Sequence, residues 1–216
     1  MTEVLRLAVF VSGGGTNLQA IIDSCKKPDF PAQLAVVVSN KPGVYGLARA
    51  REAGIPSEVV SHRDFPDRAA HEAEIVRRIR RYKIGLVVLA GYMRVVTSTL
   101  LDAFYDGKRC LPGVINIHPA DTRAYQGTHG YEFALGLLPD YPQRLTETKI
   151  TVHFVDAGVD TGPVIMQAPL PILPADGIDD LRARGLEVEH RIYPAAIRLY
   201  AENKISLDCK RVKITT

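Results

Sequence analysis

The stretch Leu5-Arg-Leu-Ala-Val-Phe-Val-Ser-Gly-Gly-Gly-Thr16 decides the fold class of this chain. Its first seven residues are mostly apolar and lead into three glycines, a pattern typical of a buried strand followed by a tight turn. In residues 17–26, which come next, Leu18, Ile21 and Ile22 recur at helical spacing. The stretch therefore predicts a strand, a glycine-rich turn and an amphipathic helix.

The same alternation continues through the first half of the chain. Residues 34–39 and 86–90 are almost wholly apolar and predict buried strands, and a weaker strand is predicted at 55–60. Helices are predicted at about 45–53 and 68–82, between these strands. This order predicts an α/β protein with a doubly wound, parallel sheet and right-handed crossovers.

The second half of the chain is less regular. Its predicted elements are strands at 114–119, 149–155 and 164–170, a short helix at about 131–137 and a long final helix at about 179–203. No repeat or low-complexity linker divides the sequence, so we expect a single domain over 1–216. A cleft between its halves, 1–97 and 98–216, is the expected site.

Composition narrows the class of protein further. The 216 residues are 46% hydrophobic and 24% charged, and the net charge of +3 is too small to indicate a nucleic-acid or membrane partner. Cys25, Cys110 and Cys209 are odd in number and widely spaced, which favours a reducing compartment over disulfides or a zinc site. Because no apolar run approaches the roughly 20 residues of a membrane span, we expect a soluble, cytoplasmic protein.

The segment Val114-Ile-Asn-Ile-His-Pro119 places two polar residues at the end of a predicted strand. Pro119 ends the strand because it has no amide hydrogen for a ladder bond. Asn116 and His118 are two residues apart, so they project from one face at the carboxyl end, where open α/β sheets bind ligands. Alternatively, the two side chains only satisfy neighbouring backbone groups in the core. Taken by itself, the segment leaves both interpretations open.

The glycine-rich turn Ser12-Gly-Gly-Gly-Thr-Asn17 is a candidate anion site, because backbone amides and the helix dipole meet there. It is not a dinucleotide fingerprint, since Leu18 replaces the third glycine, and no Gly-Lys-Ser/Thr follows as in a Walker loop. Asn40 lies where a ribose-binding acid would be expected. The turn therefore predicts a site for a single phosphate, and a purely conformational turn is the alternative.

Three other stretches carry basic, apolar or acidic residues that bear on function. Arg77-Arg-Ile-Arg-Arg-Tyr-Lys83 is the strongest basic run, and we interpret it as a solvated helix face rather than a nucleic-acid site. Residues 90–96 form either an apolar pocket wall with one charged edge or simply a loop into the next helix. Asp156 could be a turn residue and no more. Asp160 lies deeper in its loop, which suits a position beside His118, where a carboxylate would favour the imidazolium.

Six pieces of the sequence, taken in order, resemble the phosphoribosylglycinamide formyltransferase family of folate-dependent formyltransferases. They cover almost the whole chain: Ser12-Gly-Gly-Gly-Thr-Asn-Leu-Gln-Ala-Ile-Ile22, Val38-Ser-Asn-Lys41, Val88-Leu-Ala-Gly-Tyr-Met-Arg94, Asn116-Ile-His-Pro119, His153-Phe-Val155 with Asp160-Thr-Gly-Pro163, and Glu189-His-Arg-Ile-Tyr-Pro194. The resemblance implies a Rossmann-like, mostly parallel sheet with an antiparallel C-terminal extension and a long C-terminal helix.

The resemblance also implies roles for particular residues. The expected ribonucleotide site, for phosphate and glycinamide, consists of Gly13, Gly14, Gly15, Thr16, Asn17 and Glu189. The expected formyl-folate site consists of Arg68, Met93, Arg94, Val95, Val96 and Asp156. The expected catalytic residues are Asn116, His118 and Asp160. The implied cosubstrate is 10-formyltetrahydrofolate, and we expect no metal, only small-molecule partners, and a monomer or homodimer.

The implied reaction in purine biosynthesis is attack of the glycinamide amine on the formyl carbon. The Asn116 amide and a protonated His118 would stabilise the oxyanion, while Asp160 keeps His118 protonated and collects the amine's proton through water. A formyl-folate hydrolase, a formyltransferase acting on another phosphorylated amine and a catalytically silent phosphometabolite-binding protein are the alternatives. The sequence differs from the family at Asp121 and Arg123, expected on the lip of the folate site, and in a longer segment at 137–149.

Overall fold

The computed structural model of the protein describes residues 4–208 and 211–215. The strands of its main sheet are β1 Leu5–Val11, β2 Ala32–Ser39, β3 Ser57–Val59, β4 Leu86–Leu89, β5 Val114–His118, β6 Glu147–Phe154 and β7 Val164–Pro171. The helices are α1 Thr16–Cys25, α2 Tyr45–Glu52, α3 Arg68–Ile79, α4 Ser98–Ala103, α5 Gly130–Ala134 and α6 Ile178–Ala201. A C-terminal hairpin consists of β8 Ile205–Asp208 and β9 Arg211–Ile214.

Seven strands form one sheet in the order β3-β2-β1-β4-β5-β6-β7. The first five are parallel, whereas β6 pairs antiparallel with β5 and β7 pairs antiparallel with β6. The direction of winding reverses at β1, which has β2 on one side and β4 on the other, and clefts form at such a point. The expected doubly wound sheet with an antiparallel extension and a long final helix is confirmed.

Hydrophobic side chains cover both faces of the sheet because β1 alternates between two cores. Leu7, Val9 and Val11 face one cluster, which includes α1 and α6, and Ala8 and Phe10 face the other. The fully buried Tyr193 of α6 fixes this helix to the sheet centre, since its hydroxyl lies 2.9 Å from the carbonyl oxygen of Leu89 and 3.2 Å from that of Ile115. The ends of β4 and β5 are thereby held side by side.

The differences from the predicted elements are local. Helix α3 ends at Ile79 and continues as a 3-10 turn over Arg80–Tyr82. The hairpin of β8 and β9 was not predicted, because strands of four residues carry little periodic signal. Cys209 lies outside the described residues. Within the part of the chain that is described, no helix is both long and apolar enough to cross a membrane.

Candidate active site

A cleft of about 370 Å³ opens at the carboxyl ends of β4 and β5. Its walls come from residues 91–96 after β4, residues 127–129 after β5, and the loop 156–160 between β6 and β7. The sequence predicted Asn116 and His118 at this edge of the sheet. The cleft therefore lies where an open α/β sheet binds its ligands.

Asn116 and His118 both line this cleft. Strand β5 supplies them from one side, while Ile115 of the same strand is fully buried in the core beside them. His118 is only 4% exposed, so it reaches the cleft from a largely buried position. The two-residue spacing in the sequence thus predicted their shared direction correctly.

Asp160 joins the two side chains from the opposite loop. Its backbone is left-handed, with φ of 51°, and this turns the carboxylate back toward the end of β5. Asp160 Oδ1 accepts a hydrogen bond from Asn116 Nδ2 at 3.2 Å, and Oδ2 lies 3.4 Å from His118 Nδ1. The backbone N–H of Gly127 also donates to Oδ2, at 2.9 Å. The contact that the sequence could only suggest is present in the structure.

A second histidine, His153, completes the cluster and was not predicted. Its Nε2 lies 3.3 Å from both Asn116 Nδ2 and Asp160 Oδ1, and the side chain is 1% exposed. Its Nδ1 is 2.7 Å from the carbonyl oxygen of Phe154, which only accepts, so Nδ1 carries a hydrogen. His153 lies directly opposite Asn116 in the antiparallel pair of β5 and β6. To identify it from the sequence, one would need to know that β6 pairs with β5 and in which register.

The electrostatics bear on one expectation about His118. Burial lowers the pKa of its imidazole below the ordinary value, and the attraction of Asp160 offsets only part of that effect, while His153 lowers the pKa further. The direction of this shift favours the neutral imidazole and runs against the expectation that Asp160 keeps His118 protonated, which stays a prediction. Burial raises the pKa of Asp160, but the contacts of its carboxylate with His153, His118 and the Gly127 N–H together outweigh this effect and leave that pKa below its usual value.

The glycine turn has the geometry of an open anion site. A Cβ atom on Gly13 or Gly14 would have no heavy atom within 4 Å, so the backbone there is free to be approached. Gly15 has φ of 69°, and Thr16 begins α1 directly after it. The turn adjoins the cleft wall, because Ser12 Oγ accepts a hydrogen bond from Met93 N at 2.9 Å. An anion bound at the turn would therefore lie next to the cleft.

Glu189 and Asn17 form a buried link behind the glycine turn. Asn17 Nδ2 donates to Glu189 Oε2 at 2.5 Å, and the hydroxyl of Tyr131 donates to Oε1 at 2.8 Å. Burial raises the pKa of Glu189, although both donors act to lower it. Glu189 is 7% exposed and does not line the cleft. Glu189 thus links α1, α5 and α6 and contacts Asn17 of the expected ribonucleotide site, and its role there stays a prediction.

The wall expected to hold the folate is present at 93–96. Met93, Arg94, Val95 and Val96 all line the cleft, and Met93 is 68% exposed, which leaves an apolar side chain available to a ligand. Asp156 also lines the cleft, although its Oδ1 accepts from Thr161 Oγ1 at 2.6 Å. Five of the six expected folate residues are thus brought together.

Arg68 is the exception among the expected folate residues. It begins α3, is exposed and does not line the cleft. The neighbouring residue Asp67 caps the helix by accepting from Ala70 N at 2.8 Å, so the sequence signal at this position marks a helix start. The structure does not bring Arg68 to the other candidates.

Glu72 holds the far end of the wall at 93–96, a role that the sequence did not indicate. Its buried carboxylate accepts from Thr97 N at 2.8 Å, Thr97 Oγ1 at 2.6 Å and Leu100 N at 3.1 Å. These donors are the start of α4, whose first amides have no partner inside the helix. Since Ser12 fixes the near end at Met93, the wall is fastened at both ends.

The unusual residues after Pro119 lie away from the cleft. Asp121 Oδ2 pairs with Lys149 Nζ at 2.7 Å, and its Oδ1 accepts from Gln167 Nε2 at 3.2 Å, on β6 and β7. Arg123 is exposed. Neither residue lines the cleft. The expectation that they form its lip is wrong, because Asp121 fastens the loop to the antiparallel strands instead.

The structure also bears on the basic run at 77–83 and on the expectation of no metal. The basic run on α3 is tied to acidic neighbours, with Arg77 and Arg78 at 2.6 and 2.7 Å from Glu74 and Arg81 beside Glu58. It forms a solvated, paired face, as interpreted. Across residues 4–208 and 211–215, no group of three or more His, Cys, Asp and Glu side chains is arranged to hold a metal ion. The expected absence of a metal stays a prediction.

The fold and the cleft together define a class of protein. An open glycine turn adjoins an apolar wall, and an amide, an imidazole and a carboxylate lie at the strand end beside that wall, an arrangement that suits a group transfer. The family model described as formyl transferase matches residues 5–197. The chain belongs to the formyl transferase family.

Relatives and solved structures agree with this assignment. The chain is 38% identical over 202 residues to the phosphoribosylglycinamide formyltransferase of Haemophilus influenzae, covering 94% of this chain and 90% of that protein. It is 42% identical over 196 residues to the trifunctional purine biosynthetic protein adenosine-3 of Drosophila melanogaster, covering 90% of this chain but only 14% of that longer protein. The crystal structure of glycinamide ribonucleotide transformylase 1 from Symbiobacterium toebii superposes with a TM-score of 0.90 at 42% identity, covering 99% and 95% of the two chains.

Proposed function

We propose that this chain transfers the formyl group of 10-formyltetrahydrofolate to the amine of glycinamide ribonucleotide, a step of purine biosynthesis. The observation that carries the proposal is the Asp160 carboxylate, 3.2 Å from the amide of Asn116 and 3.4 Å from the imidazole of His118, at the end of β5. The names of the relatives support the substrate pair. We further propose that 1–216 forms one formyltransferase domain.

Each substrate has a matching part of the site. The glycine turn offers open backbone amides and the start of α1 to the single phosphate of the ribonucleotide. The apolar side chains of Met93, Val95 and Val96 suit the flat folate ring, and Arg94 supplies one charge on the same wall. Asn116 and His118 lie in the cleft beside this wall, where the formyl carbon would meet the amine.

The chemistry requires donors where negative charge develops. As the amine nitrogen bonds to the formyl carbon, the formyl oxygen becomes an oxyanion, and the Asn116 amide would donate to it. One such preorganised donor is typically worth about 3 kcal/mol. Asp160 accepts one Asn116 hydrogen and fixes the orientation of the amide, while His153 Nε2 lies 3.3 Å from the same nitrogen, so the oxyanion would take the second hydrogen in place of His153.

The lowered pKa of His118 suits it to move the proton. A neutral imidazole takes the proton that the attacking amine loses, and the imidazolium formed is stabilised by Asp160 and by the oxyanion. When the oxyanion collapses and the bond to the folate nitrogen breaks, His118 returns the proton to that nitrogen. Asp160, with its own pKa held low, remains an orienting charge and is not the proton carrier.

The test compares the formyl-transfer activity of the purified wild-type protein with that of His118→Ala. Formyl transfer from 10-formyltetrahydrofolate to glycinamide ribonucleotide is expected to fall about 100-fold or more in His118→Ala, on the scale of a lost acid–base group. Circular dichroism must show that the variant is folded. Transfer that survives His118→Ala undiminished would exclude the mechanism.

Three alternatives make different predictions. A formyl-folate hydrolase would release formate without any acceptor, and a transferase for another phosphorylated amine would need that amine instead. A catalytically silent binding protein would bind the ribonucleotide in a calorimeter without binding folate. Small molecules as the only partners, a cytoplasmic location, and a monomeric or dimeric state also stay predictions.

A further inference from the structure

The position of His118 depends on a backbone carbonyl in the loop that follows it. His118 Nε2 lies 3.1 Å from the carbonyl oxygen of Tyr125, and a carbonyl can only accept a hydrogen bond. Asp160 Oδ2, 3.4 Å from Nδ1, is also an acceptor, but this longer contact does not have hydrogen-bond geometry. In the neutral ring the shorter contact with Tyr125 therefore favours the hydrogen on Nε2 and the lone pair on Nδ1. Tyr125 thereby selects which nitrogen can exchange a proton in the cleft.

The ring of Tyr125 is held in an aromatic cluster that we define as Tyr125, Phe133 and Tyr141. Tyr125 stacks on Phe133 of α5, with ring centres 4.6 Å apart and planes 16° apart. Tyr141 packs edge-on against both rings, at 5.6 Å from Tyr125 and 5.1 Å from Phe133. Such aromatic pairs hold a defined geometry because the edge of one ring is attracted to the face of the other.

Tyr141 lies in the segment between α5 and β6, which is longer than in the family and for which the sequence indicated no role. It is 45% exposed, and it does not line the cleft. Leu145 N donates to the carbonyl of Ala134 at 2.9 Å, so the segment is tied back to the end of α5. Through Tyr141, a surface residue, this segment therefore packs against the loop that contacts His118.

The same loop also supports Asp160. The hydroxyl of Tyr125 donates to the carbonyl of Thr128, and the intervening Gly127 donates its N–H to Asp160 Oδ2 at 2.9 Å. One short loop thus contacts both partners of the His118–Asp160 pair. A shift of Tyr125 would alter the contact at Nε2 and the contact at Oδ2 together.

We propose that Tyr141, acting through the aromatic cluster, is a positioning residue that fixes the hydrogen of His118 on Nε2 and keeps Nδ1 available to the reaction. The inference rests on the proposed formyl transfer for its kinetic consequence, but the tautomer of His118 can be measured without any activity. Tyr141 touches neither substrate site. Its effect is therefore expected in kcat and in the imidazole signal, and not in the KM of the ribonucleotide.

The experiment compares Tyr141→Ala with Tyr141→Phe and with Tyr105→Ala. Tyr105 is a matched control, since it is 53% exposed and does not line the cleft. In Tyr141→Ala we expect kcat to fall about tenfold or more, the scale of a small misplacement of a catalytic group. Nitrogen-15 NMR should show wild-type His118 as the Nε2–H tautomer at pH 8 and a mixture of tautomers in Tyr141→Ala. Tyr141→Phe keeps the ring and should match the wild type in both.

The outcomes separate the inference from the proposed function. An unchanged tautomer in Tyr141→Ala overturns the inference, even if kcat falls, because a general loss of stability would then explain the loss of rate. Equal loss of kcat in Tyr141→Ala and Tyr105→Ala overturns it as well. A wild-type protein without formyl transfer contradicts the proposed function, while the NMR comparison still decides the inference. If Tyr141→Ala does not fold, Tyr141→Leu, which keeps the bulk without the ring, gives the same comparison.

Discussion

His118 Nδ1 and Asp160 Oδ2 lie 3.4 Å apart, on side chains that are 5% and 12% exposed. The two residues come from different parts of the chain, the end of β5 and the loop after β6, and only the antiparallel return of β6 brings them together. The charge of Asp160 raises the pKa of His118, yet burial lowers it more. The balance of these two effects favours the neutral imidazole of His118.

Asp160→Asn tests the balance within this pair. Removing the carboxylate charge removes the main influence that raises the pKa of His118, so that pKa should fall further below 6.5. An NMR titration of the His118 ring measures it directly. A pKa of His118 that stays the same or rises in Asp160→Asn would contradict the assigned contact.

The lowered pKa of His118 also fixes the sign of a pH dependence in the free energy of unfolding. An unfolded histidine has a pKa of about 6.5, and because the folded value is lower, the unfolded chain binds more protons below that pH. The contribution of His118 is therefore fully present above about pH 6.5 and is lost as the pH falls below it. Urea unfolding at pH 7.5 and pH 5.5 should show a smaller pH dependence in His118→Asn than in the wild type. An equal pH dependence in both would count against the lowered pKa.

Asn116→Ala should reduce kcat by about 100- to 1,000-fold, the range for the loss of one oxyanion donor. KM for the ribonucleotide should change little, because we propose that its phosphate binds at the glycine turn, away from Asn116. Asn116→Asp is the paired variant of nearly the same shape, and its added negative charge beside Asp160 should make it at least as inactive. If Asn116→Ala raised KM and left kcat intact, the amide would be a binding group and no oxyanion donor.

The fold followed from the sequence wherever a pattern was long and regular. The apolar runs of β1, β2 and β4 and the glycine stops between elements predicted the parallel half of the sheet. Strand β8 was missed, because four residues after a long helix show no alternation that exceeds chance. The end of α3 was placed too late because a 3-10 turn extends the same helical pattern.

Residues of the candidate site could be predicted only where their spacing along a strand fixes the direction of their side chains. Asn116 and His118 share a face by the period of a strand, and that holds in the structure. His153 could not be identified, because its meaning depends on the register between β5 and β6. Glu189 and Arg68 were carried over from family resemblance, and one proved buried while the other lies outside the cleft. Motifs identify positions, and packing decides which surface each reaches.

Two neighbouring glycines of the phosphate turn should respond differently to alanine. Gly14→Ala meets no atom within 4 Å, so the melting temperature should stay unchanged while KM for the ribonucleotide rises, since a methyl group then covers open backbone. Gly15→Ala combines φ of 69° with a Cβ 3.0 Å from Gly46 Cα and should destabilise the fold by about 1 kcal/mol or more. Gly14→Ala with an unchanged KM would argue against a phosphate at the turn.

Glu72→Ala should loosen the folate wall. Three donors at Thr97 and Leu100 would lose their buried acceptor, which we expect to cost about 2 to 3 kcal/mol in the free energy of unfolding. KM for the folate should rise more than KM for the ribonucleotide, because only the wall at 93–96 depends on this carboxylate. Glu187→Ala, an exposed change on α6, is the control and should alter neither. Equal increases in both KM values would mean that Glu72 supports the whole fold and not the wall.

The most direct measurement is the stoichiometry of formyl transfer by the wild-type protein. With 10-formyltetrahydrofolate and glycinamide ribonucleotide together, each molecule of tetrahydrofolate formed should match one molecule of formylglycinamide ribonucleotide, quantified by mass spectrometry. Neither product should accumulate when the ribonucleotide is left out. Release of formate without the acceptor, or consumption of folate without the formylated ribonucleotide, would contradict the account.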